Sequence, residues 1–325
     1  MTREMVPEPA GTFDVAVIGG GAAGMSAAVV LGRARRSVVL IDAGVPRNAR
    51  ADGVHSFLTR DGMTPDDLVR AGRREVGSYG GLVVQAEART ARALGDGFEV
   101  TLDDGRVVGA RRLVVTTGLV DELPAVPGVE QLWGRGVLHC PYCHGWEVRD
   151  RAVGVLGTGP FAVHQALLFR QWTSDLVLFT HTAPDLTGEQ AEQLTARGIR
   201  VVEGPVASLE IVSDRLTGVR LADGTVTPLH ALVVAPRFVA RSRLLGSLGL
   251  HTTPHPMGAA VGESFAADPT GLTAVPGVWV AGNVTDVQAQ VVTAAAEGLA
   301  AAAAVNADLV AEDTRLAVTA HREAA

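Results

Sequence analysis

The residues in this chain with the most chemistry are Cys140-Pro141-Tyr142-Cys143-His144. They hold its only two thiols, three positions apart, with an imidazole directly after the second. Three chemistries use such a string. Cys-x-x-Cys-His attaches a c-type haem, but that belongs with export, and the N-terminus MTREMVPEPAGT has no apolar signal segment. Two cysteines are half a structural zinc site, but the sequence has no second pair to complete it. The third is a redox dithiol. Its exchange needs a thiolate, and a cysteine of ordinary pKa near 8.5 is only about 3% ionised at pH 7; a pKa of about 7 raises that to half. His144, of a type that titrates near 6.5, is suited to take the proton; its plain alternative is a solvated turn histidine. His139 is a weaker candidate for the same neighbourhood. A disulfide closing so short a loop adds little global stability, so the pair reads as chemical rather than structural.

A dithiol needs an electron partner and elements to hold it. Asp14–Ile18 is a short apolar run followed at once by Gly19-Gly20-Gly21-Ala22-Ala23-Gly24. Met25–Arg33 then reads as an alanine-rich helix, Val38–Ile41 as a second buried strand, and Asp42 ends it. This is a βαβ unit with a Gly-x-Gly-x-x-Gly turn: one glycine for the tight turn, one for close approach to a pyrophosphate, one for helix–strand packing. The helix N-terminus adds free N–H groups and a positive dipole end. Asp42 lies 18 residues beyond Gly24, where a ribose diol needs an acceptor.

The pattern recurs. Val153–Leu156 leads into Gly157-Thr158-Gly159-Pro160-Phe161-Ala162, a helix from about Val163 to Trp172, and a strand Leu176–Phe179. The offset from Gly19 to Gly157 is 138 residues, and it carries Asp42 onto Thr180. The second unit therefore lacks the acid. His181–Asp185 offers no arginine for a 2′-phosphate, the first one downstream being Arg197. Each unit continues with a hairpin signal, Asp103-Asp104-Gly105 or Ala222-Asp223-Gly224, and a buried strand, Arg112–Val115 or Leu232–Val234. Residues from about Leu250 are too few for a third domain. They include Val278–Asn283 and an alanine-rich helix from about Gln290, and they are expected to return to the first domain.

The bulk properties agree. A length of 325 residues suggests two domains or one large α/β unit. With 47% hydrophobic and 19% charged residues the chain is not a disordered one. A net charge of −7 without a basic run argues against nucleic acid as a partner. All 28 basic residues are arginine, which excludes Schiff-base and P-loop lysines. The most apolar stretch, Val291–Val305, is shorter than a membrane span and contains Glu297. The expectation is a soluble cytoplasmic protein with no membrane partner.

These residues resemble the low-molecular-weight thioredoxin reductases over nearly the whole chain. The resemblance rests on the Gly19–Gly24 turn, the Thr116-Thr117-Gly118 strand exit, the cysteine pair opening an inserted domain, and Gly282 before the last helix. It implies an α/β fold of two Rossmann-like domains: a discontinuous FAD-binding domain at 1–118 and 249–325, and an inserted NAD(P)H-binding-like domain at 119–248 carrying the cysteines. It implies a homodimer. It implies that Cys143 faces the flavin C4a as the charge-transfer thiol and that Cys140 exchanges with substrate. The FAD contacts it carries over are Gly19, Gly21, Ala22, Gly24 and Asp42, then Arg47, Asn48 and His55 after the second strand. Further along they are Ala86 (by its backbone, to the adenine), Thr117, Gly118, Gly282, Asn283, Gln290 and Val291. The helix beginning at Gln290-Val291 would favour charge on the reduced flavin's N1 side by about 0.3–1 kcal/mol.

The chain also departs from that family. The reductases carry an acid directly after the second cysteine, where His144 stands; a basic cluster where Thr180-His181 stands; and Asp where Asn283 stands. Cys-Pro-Tyr-Cys-His-Gly-Trp-Glu looks more like a subgroup, the FAD-dependent dithiol oxidases of natural-product pathways of the holomycin and gliotoxin type. Those enzymes close an intramolecular disulfide in a small dithiol, pass the electrons through FAD to O2, and do not need NADPH. The first expectation is therefore such an oxidase, with a small-molecule dithiol and O2 as partners. The alternative is an NADPH-dependent reductase acting on a thioredoxin-like protein. A third reading is a flavin redox sensor without turnover.

Overall fold

The computed structural model describes residues 12–241 and 243–325; the N-terminal stretch read above for a signal segment lies before the described residues. The chain divides into two compact units. The first holds the chain up to Ala49, Pro65–Val120 and Phe238–Ala325; the second holds Arg50–Thr64 and Asp121–Arg237.

The first unit opens with β1 (Thr12–Ile18), α1 (Ala22–Arg33), β2 (Val38–Asp42), α2 (Pro65–Ser78), β3 (Leu82–Gln85), β4 (Ala88–Leu94), β5 (Gly97–Leu102), β6 (Val107–Val115) and β7 (Leu119–Glu122). Val15–Ile18 and Val38–Ile41 are buried on both faces, which is why they read as unbroken apolar runs rather than alternating ones. The sequence suggested a hairpin strand following Asp103-Asp104-Gly105 (106–108) and, apart from it, a buried strand at 112–115. They are one nine-residue strand, β6, which pairs antiparallel with β5 (Val100 opposite Val108) and parallel with β1 (Val17 opposite Val114).

The second unit contains α3 (Val129–Leu132), β8 (Val137–Leu138), α4 (Pro141–His144), β9 (Val153–Leu156), α5 (Ala162–Phe169), β10 (Leu176–Phe179), α6 (Gly188–Ala196), β11 (Arg200–Val202), β12 (Val206–Val212), β13 (Arg215–Leu221), β14 (Val226–Pro228) and β15 (Ala231–Val233). Its main sheet is parallel, in the order β11-β10-β9-β15-β8; β12-β13-β14 form a separate antiparallel sheet.

The chain then passes through β16 (Arg237–Ala240), α7 (Arg243–Ser247), β17 (Thr252–Pro254), β18 (Gly262–Phe265), β19 (Val278–Val280) and α8 (Val291–Glu323). β19 pairs parallel with β6 and completes a seven-stranded sheet. The return to the first unit comes at Phe238, earlier than the expected 249. Phe238 and Val239 of β16 pair with Gly262 and Glu263 of β18, and the Ser247 hydroxyl bonds the Ala91 backbone of β4. These contacts tie 238–248 to the first unit.

By length and composition alone, α8 could cross a membrane, which the sequence reading did not anticipate. Its first half instead belongs to the core, burying Ala294, Gly298, Ala301, Ala302, Val305 and Leu309, and it packs on α1. Arginines clamp its second half. Arg111 bonds Asp14, Glu312 and Asp313; Arg112 bonds Asp308 and Glu312; Arg36 bonds Asp313 and Asn306. Bonds from Arg111 hold the Glu312 carboxyl below its ordinary value, and bonds from Arg36 and then Arg111 do the same for Asp313. Carboxyls held low stabilise the fold above the ordinary carboxylate range and lose that contribution as pH falls through their folded values. An Arg111→Ala protein should therefore melt a few degrees lower at neutral pH, with the difference shrinking below about pH 4. Thermal melts across pH test this.

Candidate active site

In the first unit, β1 ends in the glycine turn and α1 begins at Ala22 with Gly21 as its N-cap. Gly19 has φ of 107° and its carbonyl is held by the Thr116 hydroxyl at 2.9 Å. A Cβ on Gly24 would collide with the Gly19 carbonyl oxygen, so this glycine is what lets helix and strand approach. A Cβ on Gly21 would meet nothing within 4 Å, and no side chain caps the first turn of α1. The first-turn amides of α1, which a helix leaves without intrahelical partners, lie next to this open position, a fit for a pyrophosphate. Asp42, at the end of β2, accepts from the Gly20 N–H at 3.1 Å and from Arg73 at 2.7 Å. The buried Arg73 Nε has no hydrogen-bond partner, a donor left over beside the position expected to meet a ribose. These features fit the dinucleotide end of FAD.

The other expected contacts in this unit fall into three places. Ala86 follows β3, is buried, and its N–H donates to the Asp42 carbonyl at 3.1 Å. Thr117 and Gly118 lie between β6 and β7; the Thr117 hydroxyl donates to the Arg241 carbonyl at 3.4 Å, and the Gly118 carbonyl accepts from the Arg241 N–H. Arg47 stacks over Phe238 and donates to Asn283 Oδ1 at 3.3 Å, and Asn283 in turn donates to the carbonyls of Asp286 and Ala289. Asn48 is half-buried beside Arg47 in sequence. Gln290 is the N-cap of α8 and Val291 its first residue.

In the second unit, β8 delivers the dithiol. Its two residues pair with β15, and Cys140 follows as the N-cap of α4, with proline at N1. The cysteines thus sit at the carboxyl end of a parallel strand, where α/β sheets present ligands. The Cys140 carbonyl accepts from the N–H groups of Cys143 and His144, winding α4 so that the two sulfurs lie 2.7 Å apart. Both cysteines are half-buried. The His139 Nδ1 lies 3.1 Å from the Val234 carbonyl, a contact that supports the end of the strand.

Burial pushes the His144 imidazole below its ordinary value; the Glu147 carboxylate opposes this, His55 adds to it, and Asp52 opposes it. His144 is therefore neutral at pH 7 and able to accept a thiol proton. The acid limb of thiol exchange should lie below pH 6.5, and a pH profile of exchange checks this. His55, expected among the flavin contacts, is placed in the second unit, between Asp61 and Glu147.

The second glycine turn also ends at the carboxyl side of this sheet, after β9. Gln165 on α5 donates to the carbonyls of His139 and Val234, linking the helix after that turn to the strand that bears the dithiol. The segment after β10 folds back onto the turn. Thr182 and Ala183 N–H groups donate to the Gly157 carbonyl at 3.0 Å, and His181 Nδ1 accepts from the Val206 N–H at 3.0 Å.

Several residues were missed by sequence reasoning. Thr116 was read as part of a strand exit, not as the hydroxyl that pins the Ile18 and Gly19 carbonyls. Glu297 was noticed only as a charge in an apolar run; its carboxylate accepts from the Gly282 N–H at 2.7 Å, and burial pushes its pKa up. A lone acid in an alanine helix was the available signal. Arg73 and Asp61 gave none; Glu147 closes the Cys140–Glu147 segment that carried the resemblance but had been given no role of its own.

Known proteins match this arrangement. A family model described as pyridine nucleotide-disulphide oxidoreductase matches residues 13–298. The chain is 30% identical over 311 residues to thioredoxin reductase sirT of Leptosphaeria maculans, covering 90% of this chain and 93% of that one. The crystal structure of HlmI superposes with a TM-score of 0.89 at 47% identity, over 98% of this chain and 99% of the other. An oxidoreductase of Agrobacterium tumefaciens does so with a TM-score of 0.86 at 34% identity, over 92% and 99%. The family implies a flavin cofactor. The chain therefore belongs to the pyridine nucleotide-disulphide oxidoreductase family, as a thioredoxin reductase-like flavin oxidoreductase.

Proposed function

We propose that this flavoprotein is an FAD-dependent dithiol oxidase that closes an intramolecular disulfide in a small molecule and delivers the electrons to O2. The observation that carries this reading is the segment after β10. Thr180 stands where a ribose acceptor is needed, and the His181 ring is engaged by the Val206 amide. The charged residues from 180 to 196 are Asp185, Glu189 and Glu192, all negative, where a 2′-phosphate would need a cation. Electrons are then supplied by the dithiol rather than by a nicotinamide.

The backbone of Gly19–Gly24 would hold the pyrophosphate of FAD and Asp42 its ribose. Bound FAD supplies a two-electron acceptor that O2 regenerates, with hydrogen peroxide as the product. The chain's own residues do the sulfur chemistry. His144 takes a proton from one substrate thiol. The resulting thiolate attacks Cys140 Sγ of the Cys140–Cys143 disulfide, and Cys143 departs as a thiolate. The second substrate thiol displaces Cys140, so the substrate leaves as a disulfide, two electrons and two protons poorer, and the enzyme is left as the dithiol.

One observation favours a second reading, the NADPH-dependent reductase. The Gly157-x-Gly159-x-x-Ala162 turn is intact, and no side chain caps the first turn of α5. Anaerobic titration of the holoprotein separates the two. The oxidase reading expects no bleaching of the flavin band by stoichiometric NADPH, bleaching by a small dithiol, and recovery in air. Bleaching by NADPH but not by dithiol would overturn it.

A further inference from the structure

The segment Arg50–Thr64 is built around one side chain. It closes on itself through two 2.8 Å backbone bonds, Val54 N–H to the Met63 carbonyl and Gly62 N–H to the Val54 carbonyl. Ser56 N–H donates to Asp61 Oδ1 at 3.1 Å. Ser56 and Thr59 have φ of 61° and 70°, a left-handed conformation uncommon for any non-glycine residue and most of all for the β-branched Thr59, and it persists only where its surroundings enforce it. The Ser56 hydroxyl donates to the Tyr142 carbonyl at 3.5 Å, tying the segment to the helix that bears the dithiol. At its centre, His55 faces a carboxylate from each ring nitrogen: Nδ1 is 3.4 Å from Asp61 Oδ1 and Nε2 is 3.5 Å from Glu147 Oε1. Residue 53 is glycine; a Cβ there would sit 3.1 Å from Nε2 and crowd the ring by a few tenths of an ångström.

Glu147 follows α4 by three residues and lies within electrostatic reach of His144. The charged or titratable groups around His144 are then Glu147, His55 and Asp52, with Asp61 behind His55 and the two thiols on α4 itself. An imidazole buried there can take a proton only if a fixed negative charge offsets it. Glu147 supplies such a charge, and its Oε1 lies 3.5 Å from His55 Nε2.

We propose that Glu147 and His55 are positioning residues for the base His144. Glu147 stabilises the imidazolium formed when His144 accepts a thiol proton, and His55, bracketed by Asp61 and Glu147, holds Glu147 in place. In that step an S–H bond breaks, the sulfur keeps the electron pair as a thiolate, the proton rests on His144, and it later passes to water. The inference rests on reading Cys140–Cys143 as a redox dithiol, but not on the direction of electron flow.

The test uses reduced holoprotein alkylated with iodoacetamide across pH, with mass spectrometry locating the adduct, beside flavin bleaching by a small dithiol. Loss of the Glu147 charge weakens the imidazolium and so the thiolate beside it. Glu147→Gln should move the midpoint of cysteine alkylation up by about one pH unit, which is about tenfold in rate at a fixed pH on the rising limb. Glu147→Asp should restore part of the shift. His55→Gln removes the hold on Glu147 together with the direct lowering of His144 by His55, so it should give a smaller shift in the same direction, the first effect exceeding the second. A His55→Gln shift in the opposite direction would show that His55 acts only as a repelling charge, and would overturn its role. An unchanged Glu147→Gln profile, in a protein whose flavin a dithiol still bleaches, would overturn the inference and leave the oxidase reading standing. Shifted profiles in a protein that no dithiol bleaches would do the reverse.

Discussion

A Cys143→Ser protein is expected to purify yellow, fold normally and fail to oxidise dithiols, with turnover down by on the order of 10³-fold or more. The reason is positional. Cys140 and Cys143 are brought within 2.7 Å by one turn of α4, and among the described residues they are the only thiols. A serine oxygen can neither form the enzyme disulfide that the substrate thiolate attacks nor carry the electrons onward. The fold should tolerate the change, because residue 143 is half-buried and its backbone bond to the Cys140 carbonyl is independent of the side chain. Stopped-flow mixing with a dithiol under anaerobic conditions is the measurement. A flavin that bleaches at the wild-type rate in the serine protein would refute the proposed mechanism. Cys140→Ser should block substrate exchange equally while leaving the Cys143 thiol in place.

The second large effect concerns the first glycine turn, where two neighbouring glycines should respond differently. Gly24→Val would drive its side chain into the Gly19 carbonyl and to within about 2.6 Å of Thr116 Oγ1. Overpacking of this kind costs about 1–3 kcal/mol, so the melting temperature should fall even in protein stripped of flavin. Gly21→Ala places its methyl in space where the protein has no atom within 4 Å. Stability of the stripped protein should fall by no more than about 1 kcal/mol, the preference of an N-cap for glycine over alanine, while flavin affinity drops sharply. Flavin content per chain and thermal melts with and without added FAD read both. If Gly21→Ala kept full flavin affinity, the turn would be a packing device and not a cofactor cradle.

Both βαβ units, their glycine turns, Asp42, the missing second acid and the start of α8 at Val291 are legible in the sequence. Each depends on local rules: buried parallel strands are unbroken apolar runs, glycines mark positions without room for a Cβ, and an acid at fixed spacing closes the unit. The dithiol was legible for the same reason, since three residues of spacing become one helical turn. Other features depended on pairings between distant residues. β6 was seen as two pieces because its halves answer to different partners, β5 on one side and β1 on the other. The return to the first unit was misplaced because it depends on Ser247 reaching Ala91, 156 residues away.

The chemistry of the dithiol divides in the same way. Its type, its helix and its adjacent imidazole follow from five consecutive residues. The environment that makes His144 a neutral base does not, because burial is a property of packing. Its supporting charges come from a loop some ninety positions earlier (His55, with Asp52 and Asp61) and from Glu147 beyond the helix. The resemblance assigns His55 to the flavin contacts that follow the second strand, and the sequence alone does not show its neighbours Asp61 and Glu147. The closure of residues 50–64 through the Val54–Met63 and Gly62–Val54 backbone bonds places His55 in a segment whose ring lies 3.5 Å from Glu147. Composition and spacing chose the reactive groups; long-range packing and the electrostatics of burial decided which of them act together.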